Sequence, residues 1–319
     1  MEKFQRRWHL FKTSLTVMQR DKKLLLFPIL TTIFTLAIAL LFICPVAFQP
    51  TGHSYLSAEH WKAAANSVFV VNYTHVSSTP TPEQPTRSAD TEFNVGGVRP
   101  LGVAYFALMY FVFMFCATFF NVAFYHQILT ALNGQPVSLS GGLRFAVSKW
   151  QAILMWTLFA GLVGYLIQTL ERRLSFIGQL ILKLIGTAWS IACVFVIPVL
   201  ITEDTANPFQ VLKKSALTLT KTWGESLIGY AGVSFGGTII ILMSLVWLAG
   251  GIAFSVAYHL YWLTVLVVLV WLVMVILWSY ILSVASQIFR CALFVYASQG
   301  ALPAPYTQDM LALAWTQKK

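Results

Sequence analysis

Charged residues are scarce in this sequence. Asp, Glu, Lys and Arg together make up 10% of its 319 residues, whereas hydrophobic residues make up 58%. An average soluble domain has about 25% charged and about 45–50% apolar residues. This scarcity of charge excludes an ordinary soluble domain. We therefore predict an all-α fold, a polytopic transmembrane helical bundle of about six spans with cytoplasmic interfacial helices.

Familiar catalytic signatures are missing as well. The sequence has no zinc-protease HExxH motif, no P-loop, no GxSxG motif and no Rossmann fingerprint. The four cysteines form no CxxC pair and lie in or beside apolar runs, at Cys44, Cys116, Cys193 and Cys291. Such cysteines are typical of small buried hydrophobes rather than of disulfides or metal ligands. We expect a protein that is not an enzyme and holds no cofactor.

A regular metal-ligand pattern is also absent. One long polar loop combines three histidines with three acidic residues: His53, His60, His75, Glu59, Asp90 and Glu92. Their spacing is irregular, unlike the spacing of zinc ligands. We interpret them as solvated loop residues and predict no metal site.

Six long apolar runs are present, and a helix needs about 20 apolar residues to cross a bilayer. They cover residues 24–48, 101–132, 150–170, 176–201, 227–257 and 258–289. Pro198 should kink the end of the fourth span, and Gly250-Gly251 should mark the turn after the fifth. The 171–185 hairpin carries Arg172 and Arg173, so it either crosses fully with snorkelling side chains or is re-entrant.

The whole chain, residues 1–319, is predicted to form a single integral membrane domain. Residues 1–23 carry seven Lys and Arg and are predicted to form an N-terminal interfacial helix. Its apolar residues share one arc: Phe4, Trp8, Phe11, Leu15 and Met18, with Val17 blurring the pattern. Residues 49–100 are predicted to be an extracytoplasmic loop insert that contains a short strand at 68–73.

Two further interfacial helices are predicted. The first covers 138–149, although Gly141-Gly142 weakens it. The second covers 208–222, where Asn207 is a good N-cap and Pro208 fits the first helical position. Gln210 completes a capping-box-like pattern. The apolar face of this second helix is predicted to consist of Phe209, Leu212, Ala216, Leu219 and Trp223.

The basic residues indicate how the chain is oriented. Of the Lys and Arg residues, 15 lie on the side of both termini and 6 on the other side. The positive-inside rule then predicts a multi-pass protein of the cell (inner) membrane with both termini cytoplasmic. The net charge is +10, and the basic residues flank apolar runs. This placement favours anionic lipid headgroups as partners and not nucleic acid.

Glycines in the fifth predicted span form a GxxxG motif. Gly232 and Gly236 should lie at a tight contact between helices, because glycine lets two helix backbones approach closely.

Polar residues form stripes on two of the spans. Asn121 lies on the second span, and Ser283, Gln287 and Arg290 lie on the sixth. Because polar groups are costly in lipid, both stripes should face the bundle and meet near its cytoplasmic side. They predict a binding cluster, either a polar track or a lipid-headgroup pocket, with Glu203 as the nearest acidic residue. The favoured alternative is structural hydrogen bonding between helices, with Arg290 as a cytoplasmic anchor.

These features favour a multi-pass membrane protein that acts as a non-enzymatic organiser and binds lipids or a partner. A protein partner or a second copy of the chain is an alternative to lipid. A small-molecule transporter is the second hypothesis, although the spans hold almost no acidic residue to couple ions. An intramembrane enzyme is the third, and no residue constellation supports it.

Several short stretches resemble one known family. They are Trp8-His9-Leu10-Phe11-Lys12-Thr13-Ser14, Asp21-Lys22 through Phe27-Pro28, Phe119-Phe120-Asn121-Val122-Ala123, Gly186-Thr187-Ala188-Trp189-Ser190, Val196-Ile197-Pro198-Val199, Lys214-Ser215, Thr222-Trp223-Gly224-Glu225 and Tyr296-Ala297-Ser298-Gln299-Gly300. Together they resemble a family of six-span bacterial and archaeal membrane proteins known only as a domain of unknown function. The resemblance covers nearly the whole chain apart from 49–100. It implies the span count, but no substrate, cofactor or site residue.

Overall fold

The computed structural model describes residues 12–75, 91–171, 173–220 and 226–307. Within these ranges, the side chains of 70–75, 91–97, 176 and 226–240 are not described. The described chain is a set of long helices with shorter helices between them and one small β-hairpin. This arrangement confirms the predicted all-α helical bundle, with the hairpin confined to the polar loop.

The elements follow the predicted runs closely. Helix α1 covers the described residues 12–20, and a short 3-10 turn follows at Lys22–Leu25. The remaining elements are α2 (Leu26–Ala47), α3 (Ala58–Val68), β1 (Phe69–His75), β2 (Thr91–Val98), α4 (Pro100–Leu132), α5 (Leu139–Ser148), α6 (Trp150–Glu171), α7 (Phe176–Ala192), α8 (Val196–Thr202), α9 (Pro208–Thr220), α10 (Ser226–Ala257) and α11 (Tyr261–Gln299).

Among the described residues, five helical segments are long and apolar enough to cross a membrane. They are Lys22–Ala47, Pro100–Leu132, Trp150–Glu171, Ile177–Thr202 and Tyr261–Gln299. Helix α10 corresponds to the remaining predicted span, and its described apolar part is Ile241–Ala257. Helix α6 and the α7–α8 segment both reach spanning length. Whether the 171–185 hairpin crosses fully stays a prediction.

The chain divides into two compact units. Met1–Thr31 and Ala117–Lys319 belong to one, which we call the main unit, and Thr32–Cys116 forms the other, which we call the insert unit. The single-domain organisation over residues 1–319 therefore stays a prediction.

Aromatic stacking and one glycine hold the short helix α5 in the main unit. Phe27 of α2 is fully buried and stacks on Phe124 of α4, with 5.6 Å between ring centroids. A Cβ added to Gly142 of α5 would lie 2.9 Å from the Ala123 carbonyl oxygen and 2.9 Å from Phe27 Cζ. The glycine predicted to weaken α5 therefore lets this helix pack directly on α2 and α4.

Helix α1 packs against the rest of the main unit through a face that is wider than predicted. Ser14 and Val17 are both 1% exposed, and the Ser14 and Tyr306 hydroxyls are hydrogen-bonded at 2.8 Å. The predicted residues Leu15 and Met18 are also partly or fully buried, whereas Val17, expected to blur the apolar face, is part of it. The rest of the predicted 1–23 helix, residues 1–11, lies outside the described residues.

The turn between the last two long helices lies later than expected. Helix α10 continues through Gly250 and Gly251 to Ala257, and the turn follows at 258–260, where His259 has a φ of 55°. A Cβ on Gly251 would lie 2.8 Å from Val267 Cγ1 of α11. The prediction of a turn at Gly250-Gly251 is wrong, because Gly251 provides close packing between helices. The side chains around Gly232 and Gly236 lie outside the described residues, so their tight contact stays a prediction.

The insert unit contains residues of α2 and α4 together with α3 and the hairpin. The strands pair antiparallel from Phe69 opposite Val98 to His75 opposite Thr91, with a bulge between Val70 and Val71. This observation confirms a strand close to the predicted 68–73 segment.

Candidate functional site

The fourth predicted span is interrupted in the main unit. Helix α7 ends at Ala192, residues 193–195 form a turn, and α8 begins at Val196. Pro198 explains the interruption, because its ring clashes with the carbonyl four residues earlier and it has no N–H to donate. The effect reaches further back than the kink predicted at the end of the span. The carbonyl of Val194 consequently has no helical donor, and no other described residue donates to it.

Ser215 of α9 bridges this interruption. Its hydroxyl donates to the Ala192 carbonyl at 2.5 Å and accepts from the Phe195 N–H at 3.1 Å. Irregular backbone at membrane depth must find such partners, because lipid supplies none. Ser215 is fully buried. The short surface helix is thereby fixed to the broken span.

The buried face of α9 differs from the sequence prediction. Val211, Ser215 and Leu219 are buried, whereas Phe209 is 66% exposed. The prediction selected apolar residues at helical spacing, and it therefore did not include Ser215 in the packed face. Of the predicted face, Leu219 is buried, and Trp223 lies outside the described residues.

A cavity of about 580 Å³ lies beside the interrupted span, within the main unit. One part of its wall is polar, formed by Asn121, Thr187, Ser190, Gln287 and Arg290. The rest is mainly apolar and includes Ile191, Phe195, Ile197, Leu219 and Leu293. No carboxylate is among the described residues that line it. The cavity therefore combines one positive charge, several neutral polar groups and an apolar surface.

Three of the four residues in the predicted polar cluster lie on this wall. Asn121 is contributed by α4, and Gln287 and Arg290 by α11. Ser283 is not a lining residue, but its hydroxyl accepts a hydrogen bond from Gln287 Nε2 at 3.3 Å. The remaining amide oxygen of Gln287 is buried and has no partner among the described residues. Gln287 thus keeps one polar atom unused.

Glu203, suggested as the acidic residue nearest to Arg290 in depth, has a lysine partner. Glu203 forms an ion pair with Lys214 of α9, and neighbouring Asp204 pairs with Lys149, with Nζ and Oδ1 2.6 Å apart. Lys149 lowers the pKa of Asp204, first through this hydrogen bond and then through its charge. Both carboxylates belong to the turn before α9. Both carboxylates therefore pair with lysines, and the suggested proximity of Glu203 to Arg290 stays a prediction.

Thr187 and Ser190 are lining residues that the sequence analysis did not single out. The Thr187 hydroxyl donates to the Lys183 carbonyl at 2.8 Å, and the Ser190 hydroxyl donates to the Gly186 carbonyl at 2.9 Å. Each hydroxyl has one proton, so each oxygen has only lone pairs left to offer. Their spacing of three residues on one helix face was the available signal.

The N-cap of α9 is as predicted, whereas its capping box is different. The Phe209 N–H donates to Asn207 Oδ1 at 3.0 Å, which confirms Asn207 as the cap. The Asn207 N–H donates to the Thr205 hydroxyl and not to Gln210. Gln210 instead accepts a hydrogen bond from that same hydroxyl. Thr205 therefore accepts the hydrogen bond from the Asn207 N–H that the capping-box pattern assigned to Gln210.

Among the described residues, no group of three or more His, Cys, Asp or Glu side chains is close enough to hold a metal ion. In the insert unit, His60 is fully buried. Its Nδ1 lies 2.6 Å from the Thr51 hydroxyl and its Nε2 lies 2.8 Å from the Ala47 carbonyl oxygen. His60 therefore connects α3 to the end of α2, while Asp90 of the same loop lies outside the described residues.

One protein family matches this chain. Its description is "Family of unknown function (DUF6159)", and the match covers residues 101–303, more than half of the sequence. The chain belongs to this family. No curated protein matches it, and no solved structure matches it.

The DUF6159 match extends from the start of α4 to just beyond α11 and contains every residue of the cavity wall named above. The resemblance to a family of unknown function is thereby confirmed. Its extent is smaller than expected, because residues 1–48 lie outside the matched range.

Proposed function

We propose that this DUF6159 protein is a non-enzymatic membrane protein that binds a lipid by its headgroup in the cavity beside the interrupted span. The observation that supports it best is that Asn121, Gln287 and Arg290 share one wall of a cavity that is otherwise mainly apolar. A lipid has the same division into a polar headgroup and apolar chains. The cavity volume of about 580 Å³ also lies in the usual range for small-molecule sites, about 300–1,000 Å³.

The charge of the cavity favours an anionic group. Arg290 is the one charged residue among the described lining residues. An arginine at membrane depth is costly unless an anion or water accompanies it. Its planar guanidinium can bind two phosphate oxygens at once. A phosphate in the cavity would place a negative charge beside the guanidinium and keep the lipid chains against the apolar wall.

The orientation predicted from charge supports the same proposal. Arg20 of α1 donates to the Ala131 carbonyl near the end of α4, and the Lys149–Asp204 pair joins the end of α5 to the turn before α9. We call this the basic end of the main unit. With the basic end at the cytoplasmic face of the inner membrane, its lysines and arginines would lie near anionic headgroups, and we expect the cavity to take its lipid from that leaflet.

Lipid retention tests the proposal. Wild-type protein purified in mild detergent should carry phospholipid that mass spectrometry identifies. Arg290→Ala should retain at least about tenfold less, since hydrogen bonds to charged groups contribute about 1.5–3 kcal/mol. Arg290→Lys should retain an intermediate amount because the positive charge remains. Arg144→Ala is the matched control, because Arg144 is exposed on α5 and does not line the cavity.

Two outcomes would contradict the proposal. One is wild-type protein that retains no phospholipid. The other is Arg290→Ala protein that elutes as wild type in size-exclusion chromatography and retains as much phospholipid as Arg144→Ala.

The interrupted helix favours a transporter as the second candidate function. In many transporters, discontinuous helices form the substrate site near the middle of the membrane. A transporter must open its site to both sides in turn. A membrane-impermeant thiol reagent should then modify a Ser190→Cys variant from either face, with the parent chain as control for the natural cysteines. The lipid-binding proposal expects modification only from the face that carries the basic end.

A further inference from the structure

The polar wall of the cavity presents hydrogen-bond acceptors beside the donors of Arg290 and Asn121. The Thr187 and Ser190 hydroxyls have each used their one proton on a carbonyl of their own helix. Both residues are exposed, so their oxygens remain accessible as acceptors. They line the cavity on the same helix, α7.

Two further acceptors come from the helix break and from α11. Val194 lines the cavity, and Pro198 deprives its carbonyl of the helical donor. Gln287 also lines the cavity, and its buried amide oxygen has no partner among the described residues. Four lining residues therefore carry acceptors that a bound molecule could use. The Gln287 oxygen is the one that is buried without a partner among the described residues, so it has the most to gain from a bound donor.

These acceptors are neutral, and they share the cavity with the Arg290 guanidinium. A molecule that complements the wall must then carry both an acidic group and several N–H or O–H donors. A phosphodiester alone supplies the negative charge but no N–H or O–H donor. A quaternary ammonium headgroup supplies positive charge, but it too has no N–H to donate.

We infer that the lipid of this cavity carries a phosphate followed by a primary ammonium group, as in an ethanolamine headgroup. This inference rests on the lipid-binding function proposed above. The phosphate accepts from Arg290, and the three ammonium protons are donated to acceptors on α7, α11 and the helix break. The apolar wall formed by residues such as Ile197 and Leu293 accommodates the start of the chains.

A methylation series of phospholipids tests this inference. Delipidated protein is offered detergent-solubilised lipids with identical chains and an ethanolamine, N-methyl, N,N-dimethyl or choline headgroup, and the bound lipid is measured by mass spectrometry. Each methyl group removes one donor. We expect retention to fall stepwise, by about fivefold for each lost hydrogen bond. Equal retention of the ethanolamine and choline lipids, or retention of none of the four, would overturn the inference. Neither result contradicts lipid binding itself, which the phospholipid that co-purifies with wild-type protein tests separately.

Matched threonine variants test which side chains select the headgroup. Thr187→Val should lower the ratio of ethanolamine to choline lipid by about fivefold, because one acceptor is lost while Arg290 remains. Thr130→Val is the control, since the Thr130 hydroxyl makes the same type of bond to the carbonyl four residues earlier, at 2.8 Å from the His126 oxygen. Thr130 does not line the cavity. A ratio that Thr187→Val leaves at the level of Thr130→Val would overturn the assignment.

Discussion

Two adjacent glycines in α5 have different surroundings. A Cβ on Gly142 would lie 2.9 Å from the Ala123 carbonyl oxygen, which belongs to the backbone and cannot move aside as a flexible side chain can. A Cβ on Gly141 would have no neighbour closer than 3.4 Å. The same substitution should therefore have opposite effects at the two positions.

We predict that Gly142→Ala destabilises the protein by about 1–3 kcal/mol, the usual effect of overpacking. The helix-propensity gain of alanine, about 1 kcal/mol, offsets only part of this. Gly141→Ala should be neutral or stabilising, because it gains propensity without a clash. Thermal unfolding in detergent measures both variants. A Gly142→Ala protein as stable as Gly141→Ala would show that α5 does not pack on α4 as closely as described.

Helical periodicity located Asn121, Gln287 and Arg290 from sequence, because residues three or four apart share one face of a helix. It could not show that α7 would supply Thr187 and Ser190 to the same wall, since that depends on how two distant helices pack. Ser215 was missed for a related reason. Its burial depends on hydrogen-bonding groups at a helix break, which an apolarity pattern does not detect.

Among the elements, α9 is a short helix held by polar contacts of Ser215 and Lys214. It has 13 residues, too few for the roughly 20 that a bilayer needs. It packs against α6, α7 and α11. Its existence and cap were predictable because Asn207-Pro208 is a local signal, whereas the interruption of α7 required knowledge of how far the effect of Pro198 extends.

The cap of α9 gives a second prediction. Asn207→Ala should cost about 1 kcal/mol of local helix stability, because the Phe209 N–H loses its side-chain acceptor. Hydrogen–deuterium exchange of Pro208–Thr220 should then speed up by about fivefold. Gln210→Ala is the control, since Gln210 does not bond the helix N–H groups. Equal exchange in the two variants would count against the cap.

At the scale of the whole molecule, the orientation in the membrane is a prediction from charge. The bias of 15 to 6 Lys and Arg places the basic end and both termini in the cytoplasm, and residues 49–100 outside. Hydrophobicity and charge predict the spans and the orientation, but they carry no signal for the division into a main unit and an insert unit, which depends on contacts between distant helices.

Labelling of intact cells with an impermeant thiol reagent checks the orientation. A Lys62→Cys variant, exposed on α3, should react from outside, because the insert unit is predicted to face outward. A Gln135→Cys variant, exposed in the turn before α5, should react only after permeabilisation. The parent chain controls for the natural cysteines. The reverse pattern would invert the orientation and would remove the electrostatic support for a cytoplasmic lipid site.

The hydrogen bond between Ser14 and Tyr306 joins positions 292 residues apart in the chain. The ribosome synthesises Ser14 long before Tyr306. Helix α1 consequently lacks its hydrogen bond to Tyr306 while every predicted span is synthesised and inserted into the bilayer. Completion of the main unit is therefore a late event in biogenesis. A nascent chain that ends before Tyr306 would lack the hydrogen bond between α1 and the segment after α11.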